Sequence, residues 1–237
     1  MASRNAQIRE RGIGAALVAP LVRLACGAAV LVGLLVAAWC VDGVFVFHVW
    51  PEGVEHLRAI LAEDLARVAQ LGGDNPFLTE VAIGTANALY AVLFELTGIH
   101  EMGMRFAQGP ALSIPDTITR SAYFVYREGI EVVMVGTQLF GVRVALLGSG
   151  VPLLALIYVV ALVDGLVQRA VRRASGGRES SSLYHRAKYL QILGAAGVLA
   201  LVLLLPISAD PRWVGVPAIV LIALAARVQG SFYKKHL

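Results

Sequence analysis

The stretch VALLGSGVPLLALIYVVALV, residues 144–163, decides the fold class that this sequence predicts. It runs for twenty residues without a charged side chain, and an α-helix needs about 20 apolar residues to cross roughly 30 Å of hydrocarbon. The whole chain of 237 residues shares this character, with 58% hydrophobic and 15% charged residues, whereas soluble domains have about 45–50% and about 25%. The sequence therefore predicts an all-α integral membrane protein.

The residues on either side extend this stretch into one apolar tract, 122–171, which Arg143 interrupts. The simplest interpretation is a single long helix, residues 131–167, whose C-terminal half is the second transmembrane span. A membrane hairpin turning at Gly148-Ser149-Gly150 is the alternative. That hairpin would place the following basic loop on the wrong side of the membrane.

We expect about four transmembrane helices, with a helical extracytoplasmic domain between the first and second spans. The predicted spans are residues 21–47, the C-terminal part of 131–167, 189–207 and 213–229. The predicted connecting segments are a basic cytoplasmic head, 1–20, an acidic and mostly helical periplasmic domain, 48–130, a basic cytoplasmic loop, 168–188, a short periplasmic turn, 208–212, and a basic cytoplasmic tail, 230–237.

The distribution of charge sets the predicted orientation. The formal net charge of the chain is +4, but residues 52–131 contain eleven acidic and only five basic side chains. The head, the 168–188 loop and the tail are basic, and short segments rich in Lys and Arg remain in the cytoplasm. We therefore expect a multi-pass protein of the bacterial inner membrane with both termini cytoplasmic. A cleaved signal peptide does not fit, because the charge-free run 24–41 exceeds an h-region of about 7–15 residues.

A ladder of small residues lies on the first predicted span. Ala25, Ala29, Gly33 and Ala37 recur at every fourth position, and small side chains allow the backbones of two membrane helices to approach closely. We therefore expect this face to pack against another helix. An alanine-rich span that carries the pattern by chance is the alternative.

No pattern in the sequence predicts catalysis, a cofactor or a metal site. His100-Glu101 lacks the second histidine of the zinc-protease motif, and no phosphate-binding or nucleophile motif is present. Cys26 and Cys40 lie fourteen residues apart, roughly 21 Å along a helix, which is too far for a disulfide between them. The sequence therefore predicts a protein that is not an enzyme.

Three ionisable residues fall at or near predicted membrane depth, and such residues are functional candidates. They are Asp42, Arg143 and Asp164. Each lies close enough to a predicted interface for its side chain to extend towards water, which is the simpler interpretation. A small carrier or channel would need several such groups near the midplane, and the sequence does not provide them.

The basic loop and its approach carry more detail than topology requires. A Gly-Gly break, an acid within a basic run and an adjacent Tyr-His pair indicate a specific partner contact, although contact with anionic lipid headgroups would explain the charge alone. Six cations on a short loop are weak support for nucleic-acid binding. The candidate docking residues are Asp164, Arg169, Arg172, Arg173, Arg178, Glu179, Tyr184, His185, Arg186 and Lys188.

This loop, the closing stretch and the start of the outer domain resemble the integrating conjugative element membrane protein family. The similarity is most specific in the loop and the tail. The residues that carry it are Asp164-Gly165-Leu166-Val167 with Arg169 and Arg172-Arg173, Gly177-Arg178-Glu179-Ser180, Tyr184-His185-Arg186-Ala187-Lys188, Leu205-Pro206-Ile207-Ser208, Gly230-Ser231-Phe232, Lys234-Lys235-His236-Leu237 and Trp50-Pro51-Glu52.

The resemblance implies a membrane component of bacterial conjugation. Members of that family are encoded with type IV secretion genes, close to the coupling ATPase that delivers DNA to the channel, and no catalytic residues are carried over from them. The expected partners are therefore the lipid bilayer, the coupling ATPase and other type IV secretion components, with an oligomer left open. An exclusion or surface-recognition protein that acts in the recipient through its outer domain is the main alternative.

Overall fold

The computed structural model describes residues 2–73, 76–108, 114–176, 181–208 and 210–232. The described residues form helices only, and 91% of them lie in helices. The helices, numbered in chain order, are α1 (Ala2–His48), α2 (Val54–Gly72), α3 (Phe77–Tyr90, continued by a π-helical turn, Ala91–Glu95), α4 (Ile99–Gln108), α5 (Ile114–Ala174), α6 (Ser181–Leu204) and α7 (Pro211–Ser231).

Five segments of the described chain are long and apolar enough to cross a membrane, against the four that the sequence predicts. Four of them lie on α1, α5, α6 and α7 and overlap the predicted spans. The additional segment is Phe77–Glu95, which we had assigned to the outer domain. It qualifies because its exposed side is apolar while its other side packs on α5, through residues such as Ala82 and Ala86.

The long apolar tract forms one helix, as the single-helix interpretation expects. α5 contains 61 residues, about 90 Å at 1.5 Å per residue. It continues without a break through Gly148-Ser149-Gly150 and includes Pro152, so the chain does not turn there. The helix begins at Ile114, earlier than the predicted segment, and its N-terminal third supports the outer domain.

Helices α2 and α3 form a hairpin that packs along the N-terminal half of α5. The apolar stripe of α2 meets α5 in two clusters, of which the first includes Val54, Leu57 and Ile60 and the second includes Val68. α3 lies so close to α5 that a Cβ added to Gly141 would be 2.6 Å from the Cα of Ala86. The α2–α3 hairpin is therefore a packed part of the helical bundle.

The predicted packing face of α1 is not the one that this chain uses. Ala25, Ala29 and Gly33 are exposed and Ala37 is half-buried, and none of the described residues lies within 4 Å of a Cβ added to Gly33. α1 instead packs through a cluster that includes Leu35, Ala38, Phe140 and Leu203. The reason is that α1 joins this cluster only from Leu34 onwards, whereas Ala25, Ala29 and Gly33 precede that part of the helix.

Candidate docking surface and its supporting contacts

Three helix ends meet where the predicted docking residues lie. They are the C-terminal turns of α5, the N-terminal turns of α6 and the C-terminal turns of α7. We call this the basic end of the bundle. Its geometry depends on how α5 and α7 cross, because α6 follows α5 after a short connection.

Two glycines allow α5 and α7 to cross closely at the basic end. A Cβ on Gly230 would be 2.9 Å from the carbonyl oxygen of Leu162, and a Cβ on Gly165 would overlap the backbone of Arg227. Side chains there would separate the helices, as at other close crossings of membrane helices. Gly165 and Gly230 both lie in the segments that carry the family resemblance. The close packing of α5 against α7 explains why glycine stands at these two positions.

Two of the predicted docking residues hold this crossing together. Asp164 forms an ion pair with Arg227 Nε across the interface. Arg172 donates from Nη1 to the carbonyl oxygen of Ser231 at 3.1 Å, and its guanidinium lies 4.0 Å from the ring centroid of Phe232. The structure therefore gives Asp164 and Arg172 an internal role, and neither offers an unengaged charge to a partner.

The other predicted residues divide by exposure. Arg169 is half-buried, with Nε and Nη2 shielded from solvent. The ring of half-buried Tyr184 meets that of His185 edge-on, with centroids 5.4 Å apart. Arg178 and Glu179 lie outside the described residues. The exposed members are Arg173, His185, Arg186 and Lys188.

A second polar cluster, buried and far from the basic end, was not anticipated from the sequence. Arg143 of α5 donates from Nε to Asp64 Oδ2 of α2 at 2.9 Å, and the two side chains are only 5% and 6% exposed. Ser208 donates to Asp64 Oδ1 at 2.8 Å, and Arg67 donates to the Ser208 hydroxyl at 2.8 Å. We call Asp64, Arg67, Arg143 and Ser208 the polar hub.

The guanidinium of Arg143 also bonds the C-terminal end of α6. Its Nη1 donates to the carbonyl oxygens of Val202 and Leu205 at 3.1 and 2.6 Å, and its Nη2 donates to that of Ile207 at 3.1 Å. The last carbonyls of a helix have no partner within the helix and must find one elsewhere. One side chain of α5 therefore connects α2 to the end of α6 and the turn that leads to α7.

The structure corrects the expected positions of two ionisable residues, Arg143 and Asp42. Arg143 does not extend towards an interface, because it is buried and bonded within the protein. Asp42 is also buried, 3% exposed, with Oδ2 lying 2.5 Å from where a Cβ of Gly136 would be. Nearby, Trp39 Nε1 donates to Thr137 Oγ1 at 3.1 Å. The position of a residue along a predicted span does not reveal long-range contacts of this kind.

Most of the chain matches a known protein family. Residues 49–234 match the model of a family described as IncC plasmid conjugative DNA transfer protein DtrJ-like. The chain belongs to the DtrJ-like family. This match confirms the predicted resemblance to a conjugative element protein, and it includes the polar hub and the basic end of this DtrJ-like chain. No curated protein and no solved structure gives a significant match.

The basic end of this DtrJ-like protein has a limited chemistry. Arg173, Arg186 and Lys188 present exposed cations on two helix ends that the α5–α7 crossing holds in place. Such a surface can bind carboxylates of another protein or phosphate groups.

Proposed function

We propose that this chain is a non-enzymatic inner-membrane component of a conjugative type IV secretion system of an integrating mobile element. Its basic end would dock the coupling ATPase or another channel component in the cytoplasm. The single observation that supports this role most strongly is the match to a conjugative DNA transfer family across residues 49–234. The exposed cations, on helix ends that the α5–α7 crossing holds in place, form the proposed docking site.

The spacing of charges along α5 supports a membrane location for the bundle. Arg143 and Asp164 lie 21 residues apart, which is about 31 Å along an α-helix and is close to the roughly 30 Å of a hydrocarbon core. No charged residue lies between them. With the basic end in the cytoplasm, as its Lys and Arg content favours, this spacing would place the α2–α3 hairpin on the periplasmic side.

The docking proposal is tested by removing the exposed cations together. Arg173→Ala, Arg186→Ala and Lys188→Ala in one variant should lower the frequency of DNA transfer from donor cells by more than about tenfold, since each charge pair at an interface contributes on the order of 1 kcal/mol. The matched control replaces with alanine three arginines away from the basic end, Arg105 of α4, Arg120 of α5 and Arg212 of α7.

The level of inserted protein and its topology are measured for both variants with reporter fusions, because loss of cations can change orientation. Normal transfer by the basic-end variant, at normal level and topology, would exclude docking through these residues. Equal loss of transfer in the control would mean that charge in general, and not this surface, is required.

Deleting the gene separately in donor and recipient cells distinguishes transfer from exclusion. A component of the transfer machinery lowers transfer only when it is absent from the donor. An exclusion protein acts in the recipient, so its deletion there would raise uptake and leave the donor's transfer unchanged.

A further inference from the structure

A groove at the opposite end of the molecule from the basic end has no assigned role. Its volume is about 720 Å³, and apolar side chains of α1, the π-helical turn, α4 and α5 line most of it. These include Phe47, Phe94, Ile99, Met102 and Tyr126. Binding sites for small ligands or partner side chains commonly have volumes of about 300–1,000 Å³. This groove, which we call the outer groove, is therefore large enough to receive several apolar side chains.

The groove continues into an exposed apolar surface. Val125 and Tyr126 on its α5 wall are 76% and 69% exposed, and Met102 on its α4 wall is 39% exposed. Aromatic residues and methionine are enriched where proteins bind other proteins, and methionine adapts its shape to the surface of a partner. The composition of these walls therefore favours a protein segment as the occupant.

The groove also has one acidic residue, Glu128, which is exposed. Its Oε1 lies beside the N-terminus of α2, 3.0 Å from where a Cβ of Gly53 would be. Two nearby arginines bind a different acid: Arg127 Nε lies 2.7 Å from Glu131 Oε1, and Arg58 Nη2 lies 3.1 Å from Glu131 Oε2. None of the described Lys, Arg or His side chains forms an ion pair with Glu128, so a cation on an occupant of the groove would find a carboxylate available to it.

We propose that the outer groove binds an amphipathic helix of another protein, with apolar residues in the groove and a Lys or Arg beside Glu128. A helix of this type presents residues three and four positions apart on one face, which suits an apolar groove with a charge at its edge. The acidic edge disfavours the phosphate headgroups of lipids. The inference rests on the proposed function in one respect: the partner is sought among proteins that are exposed in the periplasm of mating donors.

The test places a photo-crosslinking amino acid, p-benzoylphenylalanine, at Met102 of the full-length protein in mating donor cells. The control position is Ala62, which is exposed on α2 and does not line the groove. Irradiation should give an adduct at Met102 only, and mass spectrometry of that adduct should identify a peptide with Lys or Arg among apolar residues.

Charge exchange then tests the role of Glu128. Glu128→Lys should lower the yield of the adduct by more than about tenfold, since like charges at an interface repel, whereas Glu63→Lys, at an exposed acid of α2, should leave it unchanged. Exchanging the basic residue of the partner for Glu should restore the yield with Glu128→Lys. Glu128→Gln is the second variant if the lysine variant fails to insert.

Several outcomes would overturn the proposal. They are an adduct that contains lipid only, an adduct between two copies of this chain, an adduct whose yield is the same with Glu128→Lys and Glu128→Gln as with Glu128, and no adduct in cells that transfer DNA normally. The basic-end variant separates this result from the proposed function. If that variant transfers normally while the Met102 adduct depends on Glu128, the docking proposal fails and the groove proposal stands.

Discussion

Removing the carboxylate of Asp64 should destabilise the protein more than removing any neighbouring charge on α2. Asp64→Ala leaves Arg143 buried without its anion, 2.9 Å from where Asp64 Oδ2 had been. Both side chains are almost fully shielded from water, so solvent screening reduces this interaction little. Breaking a buried ion pair from one side costs about 3–5 kcal/mol, and we expect the free energy of unfolding to fall by that amount.

Replacing Arg143 should destabilise the protein at least as much as replacing Asp64, because Arg143 also donates to backbone carbonyl groups. Arg143→Met removes the ion pair and also the donors to the carbonyl oxygens of Val202, Leu205 and Ile207. The Leu205 carbonyl would keep the Ile207 N–H as a donor at 2.8 Å, whereas a buried polar group left without a partner costs about 1–3 kcal/mol. The double variant Asp64→Ala/Arg143→Met should therefore remain less stable than the wild type, yet be less destabilised than the sum of the single variants by about 0.5–3 kcal/mol.

The assay is reversible unfolding of the purified full-length protein in mixed micelles, with increasing SDS and helix content measured by circular dichroism. Glu63→Ala is the matched control, because Glu63 is exposed on the same helix and surface substitutions change stability by at most about 0.5 kcal/mol. If Asp64→Ala behaved like Glu63→Ala, or if the double variant were strictly additive, the hub would not be the connection described here.

Two further predictions concern the bundle. Gly165→Ala should lower the free energy of unfolding by about 1–3 kcal/mol through overpacking against the α7 backbone at Arg227, whereas Gly148→Ala, in open space on the same helix, should raise it by about 0.5–1 kcal/mol; equal effects in the same SDS titration would contradict the close crossing. In a variant that lacks Cys26 and Cys40, a cysteine at Glu63 should react with a membrane-impermeant maleimide in intact spheroplasts, and one at Lys188 only after permeabilisation. The reverse pattern would invert the proposed topology.

The sequence predicts those features that depend on local pattern. The charge-free stretch within α5 and the helices α6 and α7 follow from apolar composition and length. α5 begins before the predicted segment because helix formation continues through its N-terminal third. The charges in that third resemble those of a solvent-exposed segment.

The candidate sites depend on contacts between residues distant in the chain, and the sequence predicts these only in part. Asp64 and Arg143 are 79 residues apart, and neither suggests the other by spacing. A usable indication was present, because Asp64 occupies the apolar stripe of α2 four residues before Val68 and seven after Leu57. A charge on a buried stripe requires a partner, and Arg143 lies alone between two charge-free runs, 132–142 and 144–163.

The same reasoning explains the outcome at the basic end. The residue types indicate a cationic surface, but they do not indicate that Asp164 and Arg172 would be used internally. That division depends on Gly165 and Gly230 bringing α7 against α5. The pairing of two glycines on different helices is a tertiary fact, which a single sequence does not contain.

The turn between α6 and α7 has a consequence for the membranes in which this protein can work. Bare carbonyl groups are tolerated in hydrocarbon only where the protein itself supplies their donors, and Arg143 supplies them for Val202, Leu205 and Ile207. In the membrane location proposed above, these three carbonyls would not depend on water from the headgroup layer. A mismatch between a helix and the bilayer thickness costs fractions of a kcal/mol per Å. With built-in donors, this end of the α6–α7 pair would tolerate bilayers of different thickness at little cost.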